Sequence, residues 1–365
     1  MASRPVIPER IRRLEPYRPG KPIEEVEREL GLADTVKLAS NESPLPPSAA
    51  VRAALVAAID DVRLYPDGAA HSLTERLAAR HSIARERVFI GNGSNEVLEL
   101  VARLFASEGD KMVLSADAFV VYPLLAAVLG AEAVRVPARD FHHDLEAMAE
   151  AVDERTRIVF AANPNNPTGT MFDRGRWHAF LDRIPHDVVV VLDEAYHEFV
   201  DRDDAPDGVA DLERHPGLVV TRTLSKAYGL AGLRIGYGMA SAEIVDGLSR
   251  IRQPFNVNRL AQVAALAALD DEASLDALRT LVRDGRERLC AGFDALGLAF
   301  VPSQANFVLV DVGDGDAVTA ALLARGVIVR PMGAYSMADK IRITVGTAAE
   351  NERCLAALGE VMASR

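Results

Sequence analysis

Cysteine, aromatic residues and positive charge are all scarce in this chain. Two of its 365 residues are cysteines, Cys290 and Cys354, and their spacing matches neither a disulfide framework nor a zinc site. The eight histidines include no H-E-x-x-H, which argues against a metal hydrolase. Acidic residues outnumber basic ones by 53 to 41, so the net charge is −12. Because nucleic-acid binding needs a basic face, this balance argues against nucleic acid as a partner.

Long hydrophobic runs are missing too. No run approaches the roughly 20 apolar residues that a membrane helix needs, and residues 1–13 lack the apolar segment of a leader peptide. We therefore expect a soluble protein of the reducing cytoplasm. Hydrophobic residues still make up 49% of the chain, which predicts a large aliphatic core and more than one domain.

Short aliphatic runs alternate with longer helical patterns in the first 250 residues. Buried strands are predicted at 88–90, 112–114, 157–160, 188–192 and 218–220, and helices at 95–105, 121–129 and 174–181. This alternation predicts an α/β fold in which helices cover both faces of a mostly parallel sheet.

The last hundred residues have a different pattern. A helical stretch over about 258–296 precedes predicted strands at 306–310, 327–330 and 341–345 and helices at 316–325 and 349–362. This part of the chain predicts a smaller α+β domain.

Four of the predicted strands are each followed by a polar cluster. The clusters are 91–95, 163–169, Asp193-Glu194-Ala195-Tyr196, and Thr223-Leu224-Ser225-Lys226 with Arg234 farther along. Because ligands of open α/β sheets bind at the carboxyl ends of the strands, we expect these clusters to form one crevice. The first cluster suits a phosphate at a helix N-terminus, although alone it also fits an ordinary strand-to-helix turn.

Asp193 and Lys226 are the charged residues in this set with the clearest chemistry. Asp193 ends a very apolar strand, so it needs a cation or a hydrogen-bond donor; a helix cap and a partner for a protonated pyridine nitrogen both fit. Lys226 precedes the small, apolar stretch 227–233, which is unlike an exposed surface. Burial there would lower the pKa of the amine and make it a competent Schiff-base nucleophile.

Together these segments resemble the fold-type I pyridoxal-phosphate aminotransferases. Residues 221–237 match the lysine signature of that family, 163–169 match its N-P-x-N-P-T-G segment, and 193–196 match its D-E-A-Y. The resemblance implies a large cofactor-binding domain with a mostly parallel central sheet, expected at residues 41–264. A small α+β domain with an N-terminal arm is expected at residues 1–40 together with 265–365.

Both ends of the chain narrow the resemblance to the histidinol-phosphate aminotransferases. The matching segments are 16–17, 19–24, 38–42, 64–68, 330–332 and 340–346. That similarity implies transamination between L-histidinol phosphate and 2-oxoglutarate in histidine biosynthesis, giving imidazole-acetol phosphate and L-glutamate.

The resemblance implies pyridoxal 5'-phosphate as the cofactor and assigns roles to individual residues. Lys226 would carry the cofactor, Asp193 would hold its ring nitrogen protonated, and Asn166 and Tyr196 would bind its 3-oxygen. Phe119 would stack on the ring, although a core aromatic is the alternative at that position. The residues implied for the phosphate are Ser94, Asn95, Thr223, Ser225 and Arg234, with Tyr65 reaching over from the second subunit of a homodimer.

Two arginines are implied for the anionic groups of the substrates. Arg342 and Arg330 lie in apolar contexts near late strands, and a guanidinium binds a carboxylate or a phosphate through two parallel hydrogen bonds. Tyr17 and Asn41 match positions that line the substrate pocket. The resemblance also implies a cis peptide at Asn166-Pro167, which proline permits.

The sequence departs from the family at two places, and three other functions remain open. Ser43 stands where these enzymes often carry asparagine, and Ala69-Ala70 stand where a glycine or polar residue is common. Both departures bear on the substrate entrance. An aromatic amino-acid aminotransferase and a phosphothreonine decarboxylase of the same fold are alternatives, and a regulatory protein with this fold is a remote one, since the chain has no basic extension.

Overall fold

The computed structural model describes residues 6–16 and 20–364 of the chain. The α-helices in this part of the chain are α1 (Glu9–Arg12), α2 (Ile23–Leu30), α3 (Ala49–Ala58), α4 (His71–His81), α5 (Ser94–Phe105), α6 (Val121–Leu129), α7 (Leu145–Glu150), α8 (Arg174–Leu181), α9 (Ala242–Ile251), α10 (Arg259–Leu269), α11 (Glu272–Ala295), α12 (Gly315–Leu323) and α13 (Ala348–Ala363). Short 3-10 helices lie at Ile59–Arg63, Arg85–Arg87, His197–Phe199, Ala210–Glu213, Ala231–Leu233 and Gly333–Tyr335.

The β-strands of the described residues form three sheets. They are β1 (Val36–Lys37), β2 (Val88–Gly91), β3 (Lys111–Ser115), β4 (Glu132–Val136), β5 (Thr156–Ala162), β6 (Val189–Asp193), β7 (Leu218–Thr223), β8 (Gly236–Met239), β9 (Phe300–Val301), β10 (Phe307–Asp311), β11 (Val327–Ile328), β12 (Arg330–Pro331) and β13 (Lys340–Thr344).

The largest sheet has seven strands in the order β2-β8-β7-β6-β5-β3-β4. The neighbouring strands β4 and β3, β3 and β5, β5 and β6, and β6 and β7 pair in parallel. Strand β8 is antiparallel to both of its neighbours, β7 and β2. Val189 and Val191 of β6 face one hydrophobic cluster, whereas Val190 and Leu192 face the other, because successive side chains of a strand point to opposite faces. Helices cover both faces, so the mostly parallel α/β fold expected from the sequence is confirmed.

A four-stranded antiparallel sheet, ordered β12-β13-β10-β9, lies toward the end of the chain. Side chains of α11 and α13, including Phe293 and Leu358, pack with Val308 and Ile343 of this sheet in one buried cluster. The short strand β1 pairs in parallel with β11 and so joins the N-terminal segment to this region. The division of the chain at residues 41 and 264 stays a prediction.

Some predicted elements differ from the structure. The expected helix over 258–296 is divided, because Asp271 caps a new helix by accepting a hydrogen bond from the backbone of Ser274. The expected strand over 327–330 is two strands, β11 and β12, which belong to different sheets. Strands β4 and β8 were not among the predicted ones.

Glycines make β8 hard to predict, and close packing by α5 explains them. A Cβ on Gly236 would lie 2.4 Å from the backbone nitrogen of Ser94, and one on Gly238 would lie 2.7 Å from Cγ1 of Val97. These glycines therefore let the first turn of α5 approach the strand. Within the described ranges, none of the helices combines the length and apolarity that a membrane crossing requires.

Candidate active site

One cavity lies where the polar clusters after β2, β5, β6 and β7 come together. The predicted residues that line it are Asn41, Ser94, Asn95, Phe119, Asn166, Asp193, Tyr196, Thr223, Ser225, Lys226, Arg234, Arg330 and Arg342. Parallel strands place their carboxyl ends at one edge of a sheet, which brings clusters together that are far apart in the chain.

Asp193 ends β6 and lies buried at the floor of this cavity. Its carboxylate accepts hydrogen bonds from the Tyr122 hydroxyl at 2.7 Å, the Thr221 hydroxyl at 3.2 Å and the Ala195 amide at 3.2 Å. Burial raises the pKa of Asp193 above its ordinary value, and the donated hydrogen bonds oppose that rise. A buried carboxylate facing a cavity is suited to bind a protonated ring nitrogen.

The Lys226 side chain enters the same cavity from the loop after β7. Its amine donates a hydrogen bond to the carbonyl of Ser40 at 3.1 Å and lies 5.9 Å from the centre of the Tyr196 ring. Burial of the amine lowers its pKa to about 8, and the positive charge of Arg342 adds to this effect. Roughly a tenth of the amine is therefore neutral and nucleophilic at pH 7, far more than for a lysine with the ordinary pKa.

The start of α5 and Arg234 form a second polar region of the cavity. Gly93 has a φ of +79°, which favours glycine, and a Cβ there would lie 2.8 Å from Nη2 of Arg234, so a larger residue would displace the guanidinium from this turn. The backbone amides of Ser94 and Asn95 are at the helix N-terminus, where intrahelical acceptors are missing. Together with the hydroxyls of Thr223 and Ser225, this region is suited to a phosphate.

Arg342 and Arg330 lie on the late sheet, opposite each other in the register of β12 and β13. Arg342 is buried, donates hydrogen bonds to Oδ1 of Asn166 and to the carbonyl of Ala39, and lies 5.1 Å from the centre of the Phe307 ring. The Asn166-Pro167 peptide is cis, as expected, and Asn163-Pro164 is cis as well.

This cavity does not test two of the predicted site residues. Tyr65 does not line the cavity: its side chain is 78% exposed and stacks on Phe255 at a centroid distance of 4.6 Å. Tyr17 falls outside the described residues.

The sequence interpretation missed several residues around the cavity. Tyr122 and Thr221 hold the Asp193 carboxylate, and Ser40 accepts from Lys226. Tyr335 also lines the cavity. Tyr122 was detectable in principle, because a tyrosine in the apolar helix pattern 121–129 needs a partner for its hydroxyl.

Comparisons with known proteins identify the family. The model of the family "Aminotransferase class I and II" matches residues 33–358. The chain belongs to this family. Histidinol-phosphate aminotransferase 1 of Thiobacillus denitrificans is 50% identical over 98% of this chain and 94% of its own length. Histidinol-phosphate aminotransferase of Anaeromyxobacter sp. is 48% identical over 98% of this chain and 99% of its own length.

The fold of this chain is also similar to a solved structure. The crystal structure of histidinol-phosphate aminotransferase from Sinorhizobium meliloti in complex with pyridoxal-5'-phosphate has a TM-score of 0.90 and 32% identity. The alignment covers 100% of this chain and 99% of that one.

This aminotransferase is a transferase enzyme that depends on pyridoxal 5'-phosphate, and its cavity fits that cofactor chemically. The amine of Lys226 suits the aldehyde, and the buried carboxylate of Asp193 suits the ring nitrogen. The helix N-terminus at Ser94 and Asn95, beside the guanidinium of Arg234, suits the phosphate.

Proposed function

We propose that this aminotransferase transfers the amino group of L-histidinol phosphate to 2-oxoglutarate, giving imidazole-acetol phosphate and L-glutamate in histidine biosynthesis. The observation that carries the proposal is the pair Arg330 and Arg342, which line the same cavity as Lys226 from neighbouring strands. L-Histidinol phosphate ends in a phosphate and 2-oxoglutarate carries carboxylates, and a guanidinium binds either group through two parallel hydrogen bonds. The names of the relatives that match the full chain support the same substrates.

The polar residues of the cavity divide into three proposed cofactor contacts. Asp193 would bind the ring nitrogen and keep it protonated, while Asn166 and Tyr196 would donate hydrogen bonds to the ring oxygen. Phe119, which lines the same cavity, would pack against the ring. The residues proposed to bind the phosphate are Ser94, Asn95, Thr223, Ser225 and Arg234.

The bound cofactor supplies an electron sink that acidifies the amino-bearing carbon of the substrate. In its neutral form, the Nζ of Lys226 would remove the proton from that carbon and hold it, acting first as general base and then as general acid. Arg342 holds the anionic end of the substrate and keeps the reacting carbon in reach of the amine. Tyr17 and Asn41 complete the proposed substrate pocket.

The proposed active form is a homodimer in which Tyr65 of one subunit reaches the cofactor phosphate of the other. An exposed apolar patch supports this proposal: Val56, Ile59, Val62, Leu64, Tyr65 and Phe255 are all between 44% and 78% exposed. Tyr65 and Phe255 stack on each other in this set, and exposed apolar side chains that lie together are typical of interaction surfaces. The proposed cellular location is the cytoplasm, and the proposed division into domains is 41–264 and 1–40 with 265–365.

The amino donor is tested by single-turnover mixing. The holoenzyme is mixed separately with L-histidinol phosphate, L-phenylalanine and L-tyrosine, and the visible absorbance of the bound cofactor is followed. Faster loss of that absorbance with L-histidinol phosphate supports the proposal. Faster loss with the aromatic amino acids would instead assign the enzyme to aromatic transamination and leave the cofactor contacts intact.

A further inference from the structure

A chain of hydrogen bonds links Thr344, at the end of β13, to the hydroxyl of Tyr196. The backbone amide of Asn41 donates to Oγ1 of Thr344 at 3.0 Å, and this Oγ1 donates to Oδ1 of Asn41 at 3.0 Å. Nδ2 of Asn41 then donates to the Tyr196 hydroxyl oxygen at 2.9 Å. All three residues are buried, so water does not compete for these groups.

The backbone amide of Asn41 determines which groups donate and which accept along this series of hydrogen bonds. A backbone amide only donates, so Thr344 Oγ1 must accept from Asn41 and direct its own proton elsewhere. Oδ1 of Asn41 is the acceptor for that proton, which turns the other end of the amide, Nδ2, toward Tyr196. The reverse orientation of the amide would leave the Thr344 hydroxyl proton buried without this acceptor.

The backbone of Asn41 is held in place independently. Its φ is +54°, a left-handed conformation that asparagine tolerates better than most residues. Its carbonyl accepts a hydrogen bond from Nδ2 of Asn306 at 3.1 Å. The side-chain amide of Asn41 is therefore held with its Nδ2 pointing toward Tyr196.

This orientation has a consequence for Tyr196. The phenol oxygen of Tyr196 accepts a hydrogen bond from Nδ2 of Asn41, so the hydroxyl proton of Tyr196 is not used in this contact and can be donated to another group. Within the described ranges, no side chain or carbonyl accepts that proton, and Tyr196 lines the cavity that holds Lys226. The free proton is thus available to an acceptor bound in the cavity.

We propose that Thr344 is a positioning residue that orients Asn41 and thereby commits the Tyr196 hydroxyl to donate into the cofactor site. The inference rests on the proposed contact between Tyr196 and the ring oxygen of the cofactor. It does not depend on which amino acid is the donor.

The test is a pH titration of the visible absorbance of the holoenzyme without any amino donor. The transition followed is the loss of a proton that leaves the ring oxygen of the cofactor negatively charged. A hydrogen bond donated to a negative oxygen stabilises it, so losing the Tyr196 donor should raise the pKa of this transition by about one unit. The titratable and charged groups facing Tyr196 and Lys226, namely Arg342, Asp193, Tyr335, Glu42, Arg234 and Lys37, stay the same in every Thr344 variant.

Thr344→Val keeps the shape of the side chain but removes the hydroxyl, and Thr344→Ser is the matched control that retains it. The expected result is an upward shift in Thr344→Val equal to that in Tyr196→Phe, no shift in Thr344→Ser, and no added shift when Thr344→Val and Tyr196→Phe are combined. If Thr344→Val does not fold, Thr344→Ala replaces it with the same expectation.

An unshifted Thr344→Val (or Thr344→Ala in its place), an equal shift in Thr344→Ser, or additive shifts in the double variant would each overturn the proposal. If Tyr196→Phe itself leaves the titration unchanged, the proposed contact of Tyr196 fails, and that result is distinguishable from a failure of Thr344 alone. Slow turnover of L-histidinol phosphate with the expected shifts would count against the proposed substrate only.

Discussion

Glu194 and Arg222 form a buried ion pair on the side of the sheet opposite Asp193. Nε and Nη2 of Arg222 each lie 2.8 Å from the same carboxylate oxygen of Glu194, and the two side chains are 8% and 2% exposed. Asp193 and Thr221 directly precede this pair in the chain and are hydrogen-bonded to each other across β6 and β7. Because successive side chains of a strand point to opposite faces, the two contacts lie on opposite faces of the sheet. The pair therefore fixes the carboxyl ends of β6 and β7 relative to each other.

Arg222→Met should strongly destabilise the protein, since it leaves the Glu194 charge buried without its partner. We expect the free energy of unfolding to fall by about 3–5 kcal/mol, measured by urea denaturation at neutral pH. The matched control is Arg250→Met, whose partner Asp246 is 62% exposed on the same helix, with an expected loss below about 1 kcal/mol. Similar losses in the two variants would contradict the structural role of the buried pair.

The pKa of Lys226 predicts how the cofactor-free protein rebinds pyridoxal 5'-phosphate. Only the neutral amine attacks the aldehyde, and burial lowers the pKa from 10.5 to about 8. The rate of reconstitution should therefore rise with pH, reach half its maximum near pH 8 and level off above it. Stopped-flow absorbance between pH 6.5 and 10 measures the rate.

The control for this measurement is Lys226→Ala, which should develop no lysine-linked absorbance and lose nearly all turnover. A half-maximal rate near the ordinary lysine pKa would show that burial does not act on the amine. An unchanged visible spectrum in Lys226→Ala would contradict the assignment of this lysine.

Asp193→Asn should bind the cofactor but lose most of its activity. The amide keeps the size of the side chain and still accepts hydrogen bonds, but it lacks the charge that holds the ring nitrogen protonated. Removing one such electrostatic contact should lower kcat by about 10²–10³-fold, measured in steady state with the cofactor content checked by absorbance.

Asp211→Asn is the matched control for Asp193→Asn. Asp211 is also buried, but it accepts hydrogen bonds from Trp177 and His178 away from the cavity. Its substitution should affect stability more than kcat. Full activity in Asp193→Asn would remove its proposed role.

His143 predicts a loss of stability in acid. Its Nε2 accepts a hydrogen bond from the backbone of Ala162 at 3.2 Å, and burial lowers its pKa to about 4. The neutral form is favoured in the folded state, while the unfolded chain takes up a proton as the pH falls through 6.5. The stability contributed by His143 is thus fully present above pH 6.5, falls progressively down to pH 4 and is constant below it.

At pH 5 the cost from His143 should be about 2 kcal/mol. Urea denaturation at pH 7.5 and pH 5 measures it, with His143→Gln expected to lose less stability between the two values than the unaltered protein. His142→Gln, at the neighbouring and only partly buried position, should keep the full difference. An equal pH effect in all three proteins would assign the acid sensitivity to other groups.

Local patterns predicted much of the fold because the central strands β3, β5 and β6 are buried on both faces and read as nearly continuous aliphatic runs. The helices 121–129 and 174–181 coincide with α6 and α8. Strand β8 escaped prediction because its glycines weaken the strand pattern and reflect contact with α5, which is distant in sequence. The break before α11 depends on Asp271, which caps that helix. The helical pattern of apolar residues continues across this position, so the pattern alone did not reveal the break.

The sequence by itself determined the family, the lysine and the polar clusters, because each motif occupies consecutive residues whose chemistry is readable locally. Only the tertiary structure decided which way the hydrogen bonds run between them. Thr344 lies 303 residues from Asn41, and Tyr122 lies 71 residues before Asp193. Contacts between residues so far apart follow from how the strands and helices pack, so no local pattern could place these donors and acceptors around the site.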